Sequence, residues 1–317
     1  FEDTSDGQQS RQERLNQPAA VIEVYRPLSP GENVRPAGRD VRRGELVLSR
    51  DTVLHPWAIA VLASLGRSSV TVTRRPRVAI LATGDELVPV DQPLPPGKIR
   101  SSNEHALAAL VAHYGGIPIR LGIAGDALPH LVDKVREGLA VHPDLFLGTG
   151  GVAAGDYDLV RTVLNREGEV LFDLVNMRPG KSLTFGILYA GERENPVPFI
   201  ALPGNPTAAL VAFEVFVRPA ILKMQGYSSL APPTIEAVLE DEICSGTERE
   251  YVCVSLERHG NTFYARPVRR QESSRLIAIA QTDGLAVIPE GVPRKPQGTR
   301  VSVIVWDRPR RLVEALD

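Results

Sequence analysis

At 317 residues, with 43% hydrophobic and 23% charged residues and a formal net charge of -2, the chain has the composition of a globular protein with two or three cores. The near-balance of charge carries no polyanion signal, so no nucleic-acid partner is expected. No apolar run approaches the roughly 20 residues of a membrane span, so no membrane partner is expected either. Phe1 to Asn16 is polar and charged, unlike a signal peptide, so the expected location is cytoplasmic.

Residues 1–76 read as a partial N-terminal β and linker region. The chain opens on phenylalanine and its first segment has no core pattern, so a preceding region is expected to be missing from the sequence. Ala19 to Tyr25 is the one strand expected there. Scattered glycines and prolines follow, then helical spacing from Trp57 to Leu65, stopped by Gly66. Val70 to Val72 is a further short strand before the Arg74, Arg75, Pro76 punctuation.

From Arg77 to about Gly226 strand and helix signals alternate, the pattern of βαβ units and a parallel-type sheet covered on both faces. The apolar runs are Val78 to Ala82, Ile117 to Ile123, Leu145 to Leu147, Val170 to Val175 and Val197 to Leu202. Helices are expected over Asn103 to His113 and Leu128 to Leu139, and from Pro206 to Met224 with Asn205 as the N-cap. Residues 228–317 change texture. Ile235 to Leu239, Tyr251 to Leu256, Thr262 to Pro267, Leu285 to Ile288 and Arg300 to Val305 are short strands, giving a small barrel or sandwich. Cys244 and Cys253, nine positions apart, fit neither a disulfide framework nor a CxxC motif and read as strand residues.

Five apolar runs in the middle of the chain end in loops rich in glycine, carboxylate or proline: TGDEL (Thr83 to Leu87), IAGD (Ile123 to Asp126), GTGGVAAGDYD (Gly148 to Asp158), MRPGK (Met177 to Lys181) and LPGNP (Leu202 to Pro206). In an open parallel sheet such loops share the crevice at the carboxyl ends of the strands. Gly150, Gly151 and Gly155 allow close backbone approach and amides aimed at phosphate; Asp156 and Asp158 beside that anion call for a hard divalent cation such as Mg2+. The competing reading is a plain glycine turn with one aspartate as a helix N-cap. Asp85, Glu86 and Asp126 follow strands directly, where turns also accept acids. Arg178 and Lys181 flank a Pro-Gly turn able to aim both cations at an anion, or simply a solvated one. Pro203 and Pro206 stiffen a turn whose Gly204 and Asn205 amides could meet a ligand. The six histidines form no metal set, and no GxSxG, HExxH or GxxxxGKS string occurs.

The ordered set of TGDEL, the Ser101 to Asn103 helix start, GTGGVAAGDYD, MRPGK and LPGNP closely resembles the molybdopterin molybdenumtransferase family, including the equivalent domain of gephyrin. The resemblance runs from about Gly31 to the end. It implies a three-layer α/β molybdopterin-binding domain over 77–226, a C-terminal β-barrel over 228–317 and an elongated homodimer. The implied reaction inserts molybdate into the dithiolene of adenylylated molybdopterin, with a divalent cation assisting and AMP released. By motif position Glu86, Asp126 and Asp158 resemble the family's acidic catalytic and metal residues, and Lys181 an anion-binding lysine. Thr83, Gly84, Asp85, Gly150, Gly151, Gly155, Arg178, Pro203, Gly204, Asn205 and Pro206 fall on its substrate loops. Arg35 and Asp40 match the NxRxxGxD segment that should reach the site from the partner subunit, and Ser273 matches a serine of the C-terminal domain. Departures are also present. The NSAMDGYA-type and TGA-type segments are absent, Ala153 and Thr149 replace serines, Arg178 a lysine, Ser101 an Asp or Asn, Arg39 a glutamate and Cys253 an arginine. Two rivals stand beside this reading: a non-catalytic molybdopterin- or nucleotide-binding relative or scaffold, and an unrelated mononucleotide enzyme such as a kinase, which the missing P-loop opposes.

Overall fold

The computed structural model describes residues 25–27, 29–32, 34–151, 159–189, 196–268 and 276–306, and the chain divides into two compact units, 1–70 and 71–317. In the first unit the expected helix is present as α1 (Pro56–Ser64), entered through a proline in its first turn and followed by Gly66 at φ +72°. The Ala19 to Tyr25 strand lies, except for Tyr25, outside the described residues. Val70 to Val72 forms no strand among the described residues. The units part at Val70/Thr71, ahead of the boundary at residue 76 read from the sequence. Arg74 explains the shift: its guanidinium donates to both carboxylate oxygens of Asp144 at 2.6 and 2.8 Å, tying 71–76 to the second unit.

A six-stranded sheet centres the second unit. Its strands in chain order are β1 (Arg77–Thr83), β4 (Ile117–Ala124), β5 (Leu145–Thr149), β6 (Gly168–Phe172), β8 (Thr184–Tyr189) and β9 (Pro196–Leu202), arranged β4-β1-β5-β9-β8-β6. Small pairs β2 (Leu87–Val88) with β3 (Ile99–Arg100) and the two-residue β7 (Met177–Arg178) lie outside it. Side chains alternate across a strand. Ala79 and Leu81 of β1 therefore join Phe146 and Ala201 on one face, packed by α3 (Leu128–Ala140) and α4 (Leu159–Glu167). Val78 and Ile80 join Leu145, Leu147 and Leu202 on the other, packed by α2 (Asn103–His113), α5 (Pro206–Ala212) and α6 (Arg218–Met224). Every residue of β1 after Arg77 is buried, as a central strand between two helical layers requires.

The sheet is mixed rather than wholly parallel. β1, β4, β5 and β9 run parallel, but β8 is antiparallel to β9 and β6 to β8. Only positions 190–195 separate β8 from β9, too short for a crossover connection. β6 ends at Phe172 rather than Val175, on the sheet's edge, where Leu171 and Phe172 are exposed.

Between α5 and α6 the helix takes one π-helical turn, Phe213–Val217, which carries Glu214. Glu214 and Arg218 are 5% and 7% exposed, so both charges need partners. The Tyr114 hydroxyl donates to Glu214 at 2.9 Å, Arg218 lies 4.0 Å from the carboxylate and 5.4 Å from the Tyr114 ring centroid, and it donates to the Leu230 and Ala231 carbonyls. These last two bonds pin the chain as it leaves the α/β layer for the next domain.

That domain is a closed barrel, deciding between the two alternatives. β10 (Thr234–Leu239), β12 (Arg249–His259), β13 (Thr262–Pro267), β14 (Gly284–Ile288) and β16 (Arg300–Val305) pair in the order β13-β10-β16-β14-β12, and β12 pairs back onto β13. Its interior is Ala237, Leu239, Val254, Leu256, Ala286 and Val303 with their neighbours. A separate apolar set, Met177 and Val211 against Tyr251, Cys253, Leu285 and Ile304, fastens barrel to sheet, and β7 adds a parallel pairing with β12. Among the described residues no helix is long and apolar enough to cross a membrane.

Candidate functional site

The connection after β1 leads through α2 on one face, and that after β5 leads into α4 on the other. Diverging exits open a crevice at the carboxyl ends of the two strands. Four loops meet there. The Thr83 hydroxyl donates to the Thr149 carbonyl at 3.3 Å, and the Thr149 hydroxyl donates to Pro203 O at 3.3 Å. Asn103, at the start of α2, places its Nδ2 2.8 Å from Thr149 Oγ1 and 2.9 Å from Gly204 O. One side chain thus joins the start of α2 to the ends of β5 and β9, which are far apart in sequence.

Gly150 permits this closeness. Its φ is +90°, and a Cβ there would lie 2.3 Å from the Thr83 carbonyl oxygen, a backbone atom that cannot step aside. Its N–H, however, donates to Leu202 O at 3.2 Å. The expectation that this amide aims at phosphate is corrected: Gly150 is required for packing of β1 against the β5 and β9 loops. Gly204 lies with its missing Cβ 3.5 Å from Gly150 Cα, extending the same contact. Gly151, also at positive φ, sits against the Thr83 hydroxyl.

The acidic loops after β1 and β4 also converge. Asp126 N–H donates to Asp85 Oδ1 at 3.0 Å, and Asp85 N–H donates to Asp126 Oδ2 at 3.1 Å. Gly84 N–H donates to Ala124 O, and the Lys98 ammonium donates to Asp85 O. Glu86 folds its carboxylate back over Gly84, where a Cβ would lie 2.3 Å from Oε2. Asp85, Glu86 and Asp126 are all exposed. Asp126 keeps its second carboxylate oxygen for another partner, and with the Glu86 carboxylate it offers the hard oxygens that suit a divalent cation such as Mg2+. Among the described residues no three potential ligands approach closely enough to hold a metal by themselves. Asp158, the third acid expected from the sequence, lies outside the described residues, as do Gly155 and Ser273.

Around the corner, a cleft of about 240 Å³ lies between sheet and barrel, lined by Arg178, Asn205 and Thr207 on one side and Glu250, Tyr251 and Cys253 on the other. Asn205 caps α5, its Oδ1 accepting from Ala208 N–H at 3.2 Å, with Pro206 at the first helical position. Arg178 Nε stands 4.0 Å from Glu250 Oε1, across the β7–β12 pairing. Burial pushes the Cys253 thiol up to about 11, so it lines the cleft as a neutral group and not as a thiolate. Lys181 is exposed on the turn after β7, its carbonyl accepting from Val175 N–H at 3.0 Å. Pro203 is buried beneath the crevice. Arg35 and Asp40 are exposed in the first unit.

Sequence reasoning missed Lys98, the bridging role of Asn103 and the barrel wall of the cleft. Asn103 had a signal, since it stood in a helix-start motif. Glu250 and Tyr251 had none, because their strand meets the α/β layer through the two-residue β7 and a long-range apolar contact that no stretch of sequence contains.

A mixed sheet whose parallel strands open onto a crevice edged by acidic loops, followed by a closed barrel, defines a class of two-domain α/β proteins. Three family models match the chain: "Probable molybdopterin binding domain" over 79–223, "MoeA C-terminal region (domain IV)" over 236–306 and "MoeA N-terminal region (domain I and II)" over 1–66. Molybdopterin molybdenumtransferases of Nostoc sp. and Bacillus subtilis are 38% and 32% identical over 92% and 90% of this chain. The chain spans 67% and 65% of their lengths. The solved molybdopterin biosynthesis moea protein of Pyrococcus horikosii superposes with a TM-score of 0.76 at 29% identity, covering 90% of this chain and 68% of that one. A molybdenum cofactor biosynthesis protein of Pyrococcus furiosus gives 0.60 at 28%, covering 85% and 82%. The chain belongs to the molybdopterin molybdenumtransferase family, transferases of molybdenum cofactor biosynthesis.

Proposed function

We propose that this chain provides the molybdopterin-binding and barrel parts of a cytoplasmic transferase that inserts molybdate into the dithiolene of adenylylated molybdopterin and releases AMP. The observation that carries the proposal is the Asn103–Thr149–Gly204 bridge beside the Asp85–Asp126 pair, which gathers loops from β1, β4, β5 and β9 around one crevice.

In this reading Glu86, Asp126 and Asp158 hold a divalent cation of the Mg2+ type. When bound, the cation supplies Lewis-acid polarisation of the adenylylated substrate's diphosphate. Thr83, Gly84, Gly151 and Gly155 shape the wall against which the phosphates rest. Pro203, Gly204 and Pro206 fix the pterin side, and Arg178 and Lys181 hold the anionic oxygens of substrate or molybdate. Ser273 adds a hydroxyl from the barrel domain. Arg35 and Asp40 enter from the second subunit of a homodimer.

The test is AMP release on mixing the protein with adenylylated molybdopterin, molybdate and Mg2+. The proposal expects turnover, with a loss of roughly 10²-fold or more in Asp126→Ala, the scale of removing one charge-stabilising group from a catalytic site. Tight molybdopterin binding without AMP release would favour a non-catalytic relative instead. One observation supports that second reading: Cys253, a neutral thiol, stands in the cleft where the family resemblance implies an arginine.

A further inference from the structure

We infer that Asp85 is a positioning residue, which holds the β1 and β4 loops together through its carboxylate so that Glu86 and Asp126 are presented at a fixed separation. Its catalytic consequence rests on the transferase reading above; the lock itself does not.

Two loops of a parallel sheet have no reason to stay in register beyond the ends of their strands. The ladder between β1 and β4 ends at Thr83 and Ala124, with a register shift before it. Past that point the only ties between the loops among the described residues are Gly84 N–H to Ala124 O and the two reciprocal carboxylate-to-amide bonds. Each aspartate accepts the other's N–H, so the pair acts as a two-rung extension of the ladder built from side chains. Bonds to a charged acceptor are the stronger kind, and both close a ring. Lys98 holds the Asp85 carbonyl from the β3 side, fixing the loop's third edge.

Gly125 shows how closely the pair is fitted. A Cβ at Gly125 would lie 2.9 Å from Asp85 Oδ1, the atom that receives the Asp126 amide. The Gly125 N–H meanwhile donates to His130 Nδ1 at 3.1 Å, which keeps this peptide facing α3. A methyl group there would displace the Asp85 carboxylate without altering any charged side chain. The position has no left-handed φ, so alanine itself is conformationally acceptable.

Three variants and three readouts test the inference. Amide hydrogen exchange at Asp126 should speed up roughly tenfold or more in Asp85→Ala and in Gly125→Ala, the scale of losing a hydrogen bond to a charged acceptor. Asp85→Asn keeps a side-chain oxygen at Oδ1 and should stay within about threefold of the parent. Mg2+ affinity measured by calorimetry should follow the same order, with Asp85→Asn near the parent and the other two weakened. AMP release should be lost in Asp85→Ala and recovered largely in Asp85→Asn. Unchanged Asp126 exchange in Asp85→Ala and Gly125→Ala would overturn the lock. Intact exchange with a tenfold loss of Mg2+ affinity in Asp85→Asn would show that Asp85 is a ligand, and would overturn its positioning role. If no variant, nor the parent, releases AMP while exchange behaves as described, the transferase reading fails and the lock stands.

Discussion

Three loop carboxylates and one helical carboxylate flank the same sheet and are built in opposite ways. Asp85, Glu86 and Asp126 sit exposed on loops, and the two aspartates each accept the other's backbone amide. Glu214 is buried on a helix, satisfied by Tyr114 and Arg218, with its surroundings closed. The first arrangement keeps charge open to solvent, whereas the second uses charge to fix how the last helix of the α/β layer hands the chain to the barrel. Position at a strand end, and not the residue type, separates exposed charge from buried charge here.

That contrast can be broken most sharply at Glu214. Glu214→Ala leaves Arg218 buried without its carboxylate and should lower unfolding free energy by about 3–5 kcal/mol. Urea unfolding should show the loss, while Mg2+ affinity of the folded protein stays within about twofold of the parent. On the loop side, Gly150→Ala combines left-handed strain with a backbone collision and should destabilise by about 2–4 kcal/mol. Unlike Glu214→Ala, it should also weaken molybdopterin binding, because it forces the β1 and β5 loops apart. Tyr114→Phe removes one hydrogen bond to Glu214 and should cost about 1–2 kcal/mol.

The smallest effects are in pH dependence, and their signs differ between two sites. Burial is the main influence on Glu214 and raises its carboxyl above the ordinary range, against the Tyr114 and Arg218 contacts. A raised acid is most stabilising below the ordinary carboxyl value of about 4 and loses that contribution as pH rises through its folded value. The melting temperature of Glu214→Gln relative to the parent should therefore climb as pH is raised from about 4 to 7. At Asp144 burial opposes ionisation, but the Arg74 and Arg77 hydrogen bonds and the Arg74 charge outweigh it and hold the carboxyl low. Its contribution is present above about pH 4 and lost on acidification, so Arg74→Ala should narrow the acid-induced drop in melting temperature below that pH.

Local signals made much of this legible. The Asn103 to His113 helix and the Asn205–Pro206 helix start follow from caps and periodicity, and the structure has both. β8 escaped because Gly186 interrupts its run and a proline-glycine turn precedes it. The Tyr114–Glu214–Arg218 cluster joins residues about a hundred positions apart, and no window of sequence contains it. The loops were visible as motifs, yet the engagement of the Gly150 amide and the reciprocal Asp85–Asp126 bonds depend on how strand ends are spaced in three dimensions. Composition can nominate acids and glycines; only the fold decides which of their atoms remain available.

The central claim is that the acids after β1 and β4 act on one cation. A double-mutant cycle with Glu86→Ala and Asp126→Ala, read by Mg2+-dependent AMP release, tests it most directly. A shared cation predicts that the double variant is barely worse than the more damaged single one. Losses that multiply, each variant acting as though the other were absent, would contradict a common site.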